Sequence, residues 1–378
     1  MKELYESVDK ILPQGEFLRG FTNQNLVTKA DLKNILKNRG VFFCNDSKEN
    51  LVPFLCNTLI SPQEFEQLKD SFNTKEDNPK RSTSNLEIKS NTPLIEMVPP
   101  TPEMESLKKE LNSLPSNFTV TKLNPFTQEH RNQKKIFAEF EVERRDLNKS
   151  WFEATNIFKG KLVIEKESEK KIKITRQTTS PETMKVASKL ESLYTNYLKN
   201  HDYSGKDSKL EKIFFGNFNN EERIAFFLRL SNSMQSGHFD FVDISDVHFR
   251  ADKKKTLPKD IIWMSNKDAL IFRGKKIQSD FFFSQNSFHE YIECWGMEVK
   301  LRYSYELLEG NLTVNYGFPY FEKKGKKAEF EINISSFTSQ GNVPYSKKQE
   351  IREILFDLLD AEKSKVFNNF LRYSNSKI

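Results

Sequence analysis

Apolar residues near the N-terminus recur at helical spacing and are bounded by residues that start and stop helices. Leu32, Ile35 and Leu36 form one apolar stripe. Thr28 is a suitable N-cap with an acidic residue three positions on, and Gly40 supplies the left-handed conformation that ends many helices. This pattern predicts a helix between the cap and the glycine.

Two further helices are predicted in the same region. An extended apolar link over residues 41–43 precedes the second helix, which begins at Ser47 or Asn50. Pro53 favours the later start, because only the first turn of a helix tolerates a missing backbone N–H. The sequence Ser61-Pro62-Gln63-Glu64 is a capping box with proline at the first helical position, so a third helix follows it.

The composition changes between Phe72 and Pro100. Asn, Thr, Ser, Lys, Glu and Pro predominate there, and such a segment cannot bury enough apolar surface to fold alone. We therefore predict a flexible linker over residues 73–100. It would join a helical module at residues 1–72 to a larger domain at residues 101–378.

The larger domain shows both strand and helix periods. Residues 135–144 alternate between apolar and polar side chains, which predicts a half-buried strand. Further strand patterns lie at 161–166, 171–177, 239–249, 290–301, 311–318 and 328–335, and helices are expected to start at 101, 180, 220 and 346. Short connections favour antiparallel pairing. The predicted fold class is α+β, a mainly antiparallel sheet with flanking helices, and no internal repeat is recognisable.

Composition limits the class of protein. Hydrophobic residues make up 37% and charged residues 30% of the chain, and no apolar run approaches the length of a spanning helix, so we expect no membrane partner. The N-terminus lacks a hydrophobic signal region, and the three cysteines have neither disulfide nor zinc spacing, which together predict a cytoplasmic protein. The abundance of Lys, Asn and Phe is typical of an AT-rich bacterial genome. The net charge of +6 permits a nucleic-acid partner.

Several features of the N-terminal region together resemble a known DNA-binding module. They are Leu32 and Leu36, Gly40, the extended apolar link, Lys48 and the Leu51/Leu55 pair. In this arrangement the segment from Leu26 to Leu59 resembles the SAP, or helix-extension-helix, family. The resemblance implies two helices joined by an extended segment, with duplex DNA contacted on its backbone and little sequence readout.

The basic residues of this segment are the candidate nucleic-acid contacts. They are Lys29, Lys33, Lys37, Arg39 and Lys48. The first three lie four residues apart, so they share one helix face and can neutralise phosphates with release of counterions. The alternative interpretation is a solvated helix face opposite the core.

A second candidate site lies on the strand predicted at 239–249. His238, Asp240, Asp246 and His248 point the same way in a straight strand. Imidazole and carboxylate groups suit a divalent metal, which could activate water or hold a phosphate. The alternative is a structural strand with acidic residues in its turns.

A third candidate is a nuclease site. Glu298 and Lys300 form a Glu-x-Lys pattern on a predicted strand, and Asp280 precedes them. In a PD-(D/E)xK nuclease the carboxylates hold Mg²⁺ and the lysine orients water. Charge alternation on an exposed strand face is the ordinary explanation for the same pattern.

The leading hypothesis from the sequence is a non-enzymatic, DNA-binding subunit of a bacterial multi-protein assembly. It needs no cofactor and has double-stranded DNA and a protein subunit as partners, and antiviral or anti-plasmid defence is the expected setting. One alternative is a Mg²⁺-dependent PD-(D/E)xK-like nuclease. The other is a protein-interaction module that binds no nucleic acid.

Overall fold

The chain forms two compact units. The first, called the helical unit, comprises Met1–Asn78 with Glu143–Phe158, and the second, called the sheet unit, comprises Pro79–Val142 with Lys159–Ile378. The computed structural model describes residues 12, 14–24, 27–44, 47–76, 78–89, 91–114, 116–129, 132–145, 155–232, 234, 236–279, 281–306, 308–339 and 345–375.

The helical unit packs short helices around one apolar core. These helices are α1 (Gly15–Thr22), α2 (Lys29–Asn38), α3 (Lys48–Cys56) and α4 (Pro62–Glu76). The predicted stripe on α2 is buried, and Leu51 and Leu55 on α3 are fully buried in the same core. The structure therefore contains the two helices expected from the sequence and the link between them.

The predicted helix caps form as well. The Thr28 backbone N–H donates to Asp31 Oδ2 at 2.6 Å, which is one half of a capping box. At the start of α4, the Ser61 N–H donates to Glu64 Oε2 at 2.8 Å, and Ser61 Oγ accepts from the Glu64 N–H at 3.3 Å. Each cap satisfies backbone N–H groups that have no partner within the helix.

The late start expected for the second helix is wrong. Helix α3 begins at Lys48, directly after Ser47, and Pro53 lies inside it. Pro53 removes one intrahelical hydrogen bond, but Val52 and Leu55 beside it are buried in the unit's core. Tertiary burial therefore outweighs the missing N–H at this position.

The sheet unit contains one extended antiparallel sheet and helices that cover it. Its strands are β1 (Lys80–Glu87), β2 (Phe118–Leu123), β3 (Thr127–Glu129), β4 (Asn132–Arg145), β5 (Thr155–Ser168), β6 (Lys171–Thr178), β7 (Glu211–Lys212), β8 (Phe239–Ala251), β9 (Leu270–Arg273), β10 (Ile292–Tyr305), β11 (Leu308–Gly317) and β12 (Glu331–Ser339). Its helices are α5 (Thr101–Ser113), α6 (Pro181–Asn200), α7 (Asn220–Asn232), α8 (Phe281–Ser284), α9 (Phe321–Lys324) and α10 (Tyr345–Asn375). The α+β fold class predicted from the sequence is confirmed.

The strand order reveals a repeat that the sequence does not show. Across the sheet the order is β2-β4-β5-β6-β1-β12-β11-β10-β8-β9. Apart from the short β3, the first half follows the path β1, α5, β2, β4, β5, β6, α6. Apart from β9 and the four-residue helices α8 and α9, the second half follows β7, α7, β8, β10, β11, β12, α10. In the first half β1 pairs with β6, and in the second the bridge between Phe214 and Glu329 joins the residues after β7 to those before β12. Each half has its own apolar core.

The two halves meet at β1, inside the segment expected to be a flexible linker. That expectation is corrected for residues 80–87, which pair with β6 along the whole strand and with β12 through Lys80↔Asn333 and Arg81↔Ile332. β1 is polar, so its sequence lacks the apolar signal of a central strand. A chain that begins at Thr101 would lack this strand.

Ion pairs with distant elements stabilise β1 at this position. Arg81, which is 4% exposed, pairs with Glu353 and Asp357 on α10 and lies 3.9 Å from Asp360. Lys363 donates to Asp360 Oδ1 at 2.7 Å. Burial of these charges is tolerated because each has an opposite partner.

Candidate functional site

The three evenly spaced lysines form an exposed row on α2. Lys29, Lys33 and Lys37 are exposed, whereas Leu32 and Leu36 of the same helix are fully buried. Successive lysines are about 6 Å apart along the helix axis. We call these three residues the lysine row. It presents positive charge on one face of the helical unit.

Arg39 has a structural role within the helical unit. Its Nε donates to Glu64 Oε1 at 2.6 Å, and a second guanidinium nitrogen donates to Glu64 Oε2. The same side chain donates to the Leu59 carbonyl oxygen at 2.7 Å. These bonds tie the end of α2 to the start of α4, which gives Arg39 a structural role, and its expected role as a phosphate contact stays a prediction.

Lys48 is also engaged internally. Its Nζ donates to the carbonyl oxygens of Gln24 at 2.7 Å and Val27 at 2.8 Å. The ammonium group therefore holds the start of α3 against the connection between α1 and α2. Of the five candidate phosphate contacts, Arg39 and Lys48 are half-buried, whereas the lysine row is exposed.

Apolar side chains are also exposed on the helical unit. Phe42 in the link between α2 and α3 is 76% exposed, Phe17 on α1 is 68% exposed and Leu59 is 77% exposed. Phe54 on α3 packs edge to face with Phe43 at 5.1 Å. Single exposed apolar residues are common on proteins, whereas a contiguous patch of them would indicate a protein-binding surface.

The four residues of the metal hypothesis do not converge. Asp240 and Asp246 are six residues apart on β8, which corresponds to about 20 Å along an extended strand. Asp246 and His248 are neighbours, since Asp246 Oδ1 lies 3.3 Å from His248 Nε2. Among the residues that the structure describes, no group of three His, Cys, Asp or Glu side chains is arranged to hold a metal ion. The structure therefore does not bring these four residues together into one site.

The structure describes two of the three residues of the nuclease pattern. Glu298 and Lys300 lie two residues apart on β10 and therefore on the same sheet face. Asp280 lies outside the described residues. Glu298 accepts a hydrogen bond from Ser245 Oγ at 2.7 Å and pairs in register with Asp246.

A polar row crosses the sheet at Glu298. Cross-strand register places the following residues side by side on β9, β8, β10, β11, β12 and β1: Arg273, Asp246, Glu298, Asn315, Asn333 and Lys80. We call this set the polar row. Neighbouring strands are about 4.8 Å apart, so the row is about 24 Å long. It lies on the face opposite the buried side chains of Val299 and Val314.

An open cleft lies over the polar row. Its volume is about 590 Å³. Gly296 and Gly317 pair in register and line it, and a Cβ atom on Gly317 would lie 3.0 Å from the Trp295 carbonyl oxygen. Trp295 lines the cleft and stacks on Phe321 at 5.4 Å. Tyr320, which also lines it, adopts a left-handed backbone conformation with φ of 61°.

Glu331 is a cleft residue that sequence reasoning missed. It is 8% exposed, and no hydrogen bond or ion pair to it occurs in the described part of the chain. Burial raises the pKa of its carboxyl to about 7, although Lys80 and Arg176 oppose the shift. Buried acids with shifted pKa values are concentrated at functional sites. The sequence did offer one signal for this site, because Glu331 is a charged residue at the start of an apolar strand.

Asp246 has a neighbouring nitrogen at each carboxylate oxygen. Its Oδ2 accepts from Arg273 Nε at 2.8 Å, and its buried Oδ1 lies 3.3 Å from His248 Nε2. The sequence had singled out Asp246, His248 and Glu298 for two separate sites. The register of β8 and β10 brings them into one cleft.

Comparisons with known proteins bear mainly on the helical unit. Residues 16–78 match the family described as "GAPS4b protein N-terminal domain". No curated protein sequence matches the chain. The crystal structure of the di-domain ARO/CYC StfQ from the steffimycin biosynthetic pathway is 6% identical, with 78% of this chain and 99% of that chain covered. The TM-score of this superposition is 0.16, which is too low to indicate a shared fold. No helix in the described ranges combines the length and apolarity needed to cross a bilayer.

Proposed function

We propose that the chain is a DNA-binding subunit of a bacterial multi-protein assembly, with defence against phages or plasmids as its setting. In this proposal the helical unit is a SAP-like module that contacts the backbone of duplex DNA. The observation that carries the proposal is the lysine row, which exposes three cations at regular spacing on one face of α2.

Physical chemistry supports a backbone contact rather than base readout. A row of lysines is a set of point charges that attracts phosphates, and it lacks the planar fork with which arginine reads guanine. Arg39, the one arginine among the candidates, is already held by Glu64. The expected binding is therefore weakly sequence-specific and strongly salt-dependent.

The exposed apolar residues of the helical unit support a protein partner as well. Phe17, Phe42 and Leu59 expose most of their surfaces to solvent. Such residues are costly to leave hydrated, and association with another subunit would remove them from water. Exposed lysines and exposed apolar side chains on one small module fit an assembly subunit better than a stand-alone enzyme.

Binding of labelled duplex DNA by the full chain tests the proposal. We expect binding that weakens steeply between 50 and 200 mM salt, by about 40-fold if the three lysines each neutralise a phosphate. The variant with Lys29, Lys33 and Lys37 all changed to Gln should lose most of this affinity. Lys69→Gln, an exposed lysine on α4, is the matched control and should bind as the parent chain does.

The same titration, run with Mg²⁺ and followed by a cleavage gel, tests the nuclease alternative. Cleavage that is lost in Glu298→Ala would favour an enzyme over a binding subunit. Equal binding by the parent chain and the triple variant would refute the lysine row as the DNA contact. Absence of any binding by a correctly folded chain would leave protein interaction as the better account.

A further inference from the structure

The cleft on the sheet unit is distinct from the lysine row and is not used by the proposed DNA contact. Its acidic side chains are hydrogen-bond acceptors. Asp246 Oδ1 lies 3.3 Å from His248 Nε2, whereas the Glu331 carboxyl, on a residue that is 8% exposed, has no hydrogen-bond or ion-pair partner within the described chain. A carboxylate in so enclosed a place is stabilised by hydrogen-bond donors, so an occupant of the cleft should supply N–H groups to Glu331.

Cations at the edges of the cleft limit the charge of that occupant. Lys80, Arg273 and Lys323 line it together with the acidic residues. A purely cationic ligand would be repelled by these three groups. A ligand that combines N–H donors at one end with negative charge at the other would satisfy both sets.

The remaining lining residues favour a planar ring. Trp295 and Tyr320 contribute aromatic rings to the wall of the cleft, and the paired Gly296 and Gly317 line it beside them. Nucleobases stack on aromatic side chains and are read through hydrogen bonds to their edges. The side chain of Asn315 has both a donor and an acceptor for such an edge, and in the described structure it makes no hydrogen bond.

The geometry points to a binding site for a guanine nucleotide in this cleft. The neighbouring N1–H and 2-amino groups of guanine would donate to the carboxylate of Glu331. The phosphate would lie towards the basic residues at the edge, and the volume of about 590 Å³ accommodates a nucleoside monophosphate. The same group could come from a free nucleotide or from an unpaired guanosine in a nucleic-acid strand.

Guanine fits better than the other bases because of its donor pattern. Adenine presents a ring acceptor beside its amino group, and this acceptor would face the carboxylate of Glu331. A carboxylate that accepts two N–H bonds is satisfied by guanine and left partly unpaired by adenine. We expect guanosine 5′-monophosphate to bind about tenfold more tightly than adenosine 5′-monophosphate.

Binding should depend on pH through Glu331. The charged groups that act on it are Lys80 on β1, Arg176 on β6, Lys324 on α9 and Glu329 before β12. Burial raises the Glu331 pKa to about 7, and the bound form requires the carboxylate. Affinity should therefore increase by about tenfold between pH 6 and pH 8, with one proton released on binding.

Isothermal titration of the full chain tests this inference. The ligands are guanosine 5′-monophosphate, adenosine 5′-monophosphate, inorganic phosphate and a single-stranded hexamer with one guanosine. Glu331→Gln should weaken the binding of guanosine 5′-monophosphate by about tenfold or more and abolish the pH dependence of that binding. Asn315→Ala is a second cleft variant. Asp240→Asn, an exposed acid at the far end of β8, is the matched control.

The outcomes separate the possibilities. Tighter binding of guanosine 5′-monophosphate than of the hexamer supports a free nucleotide, and the reverse supports a guanosine within a strand. Binding of phosphate as tight as that of guanosine 5′-monophosphate would overturn the base site. Unchanged binding in both Glu331→Gln and Asn315→Ala, or no binding by the folded chain, would also overturn it. Loss of DNA binding by the lysine-row variant would leave this result unaffected.

Discussion

Arg39 and Glu64 form a two-bond ion pair that joins the end of α2 to the start of α4. Glu64 also caps α4, because it accepts a hydrogen bond from the Ser61 N–H at 2.8 Å. One carboxylate therefore fixes a helix end and the packing of two helices. Both side chains are less than one-third exposed, so solvent screens the pair only partly.

This pair predicts an acid-sensitive contribution to stability. The hydrogen bond from Arg39 holds the pKa of the Glu64 carboxyl at about 2, whereas an unfolded Glu titrates near about 4.3. The contribution is therefore fully present above about pH 4.5 and is lost as pH falls towards about 2. At pH 7, Glu64→Gln should lower the free energy of unfolding by about 1–2 kcal/mol.

Urea unfolding followed by circular dichroism at pH 7 and at pH 2.5 measures this effect. The difference between Glu64→Gln and the parent chain should shrink at the lower pH. Glu66→Gln, an exposed acid on the same helix, is the control and should change little at either pH. A destabilisation of equal size at both pH values would contradict the assignment.

The lysine row predicts a change in salt dependence that is separate from stability. Each lysine that neutralises one phosphate contributes about 0.9 to the slope of log affinity against log salt. Lys33→Gln should therefore reduce that slope by about 0.9 without changing the unfolding midpoint. Arg39→Gln should lower stability and leave the slope near that of the parent chain. The opposite pattern would place the DNA contact at Arg39.

The buried charge of Arg81 predicts a large stability loss on its removal. Arg81→Ala would remove one of the cations near Asp360, which is 2% exposed. It would also remove the ion pairs that Glu353 and Asp357 form with β1. Removal of one partner from a buried ionic group typically costs about 3 kcal/mol or more. Thermal unfolding measures the loss, and Glu87→Gln on the exposed end of β1 is the control. A loss no larger than the control's would mean that the network contributes little.

Close packing at Gly310 predicts another sensitive position. A Cβ atom there would lie 1.8 Å from the Thr338 carbonyl oxygen, and backbone atoms of β12 cannot move aside cheaply. Gly310→Ala should therefore disturb the β11–β12 pairing and lower the unfolding temperature. Gly274→Ala, where a Cβ would meet nothing within 4 Å, should be close to neutral. Equal melting of the two variants would contradict the close approach.

Much of the fold could be predicted because burial follows local periods. Apolar residues every second position marked Ile136, Ala138, Phe140 and Val142 on β4, and all four are at most 1% exposed. Helical spacing likewise marked Leu107 on α5, which is buried as expected. These signals depend only on neighbours within a few residues, so one sequence carries them in full.

β1 could not be predicted from its own residues. Its first six residues are polar or charged, and the groups that make burial of Arg81 and Ser84 acceptable lie on α10 and α6. Those partners are separated from β1 by more than a hundred residues of sequence, since Glu191 and Asp357 belong to later helices. Only the tertiary structure brings the compensating charges to the strand.

The sequence by itself determined the helical module, most of the strands and helices, and the evenly spaced lysines of α2. Tertiary structure decided which charged residues have structural roles and which share a site. Arg39 and Lys48 carry the same charge as the lysine row, but the fold half-buries them and gives them acceptors on other segments of the helical unit. Cross-strand register alone brought Asp246, Glu298 and Glu331 into one cleft, because register depends on pairing between distant strands and not on any local pattern.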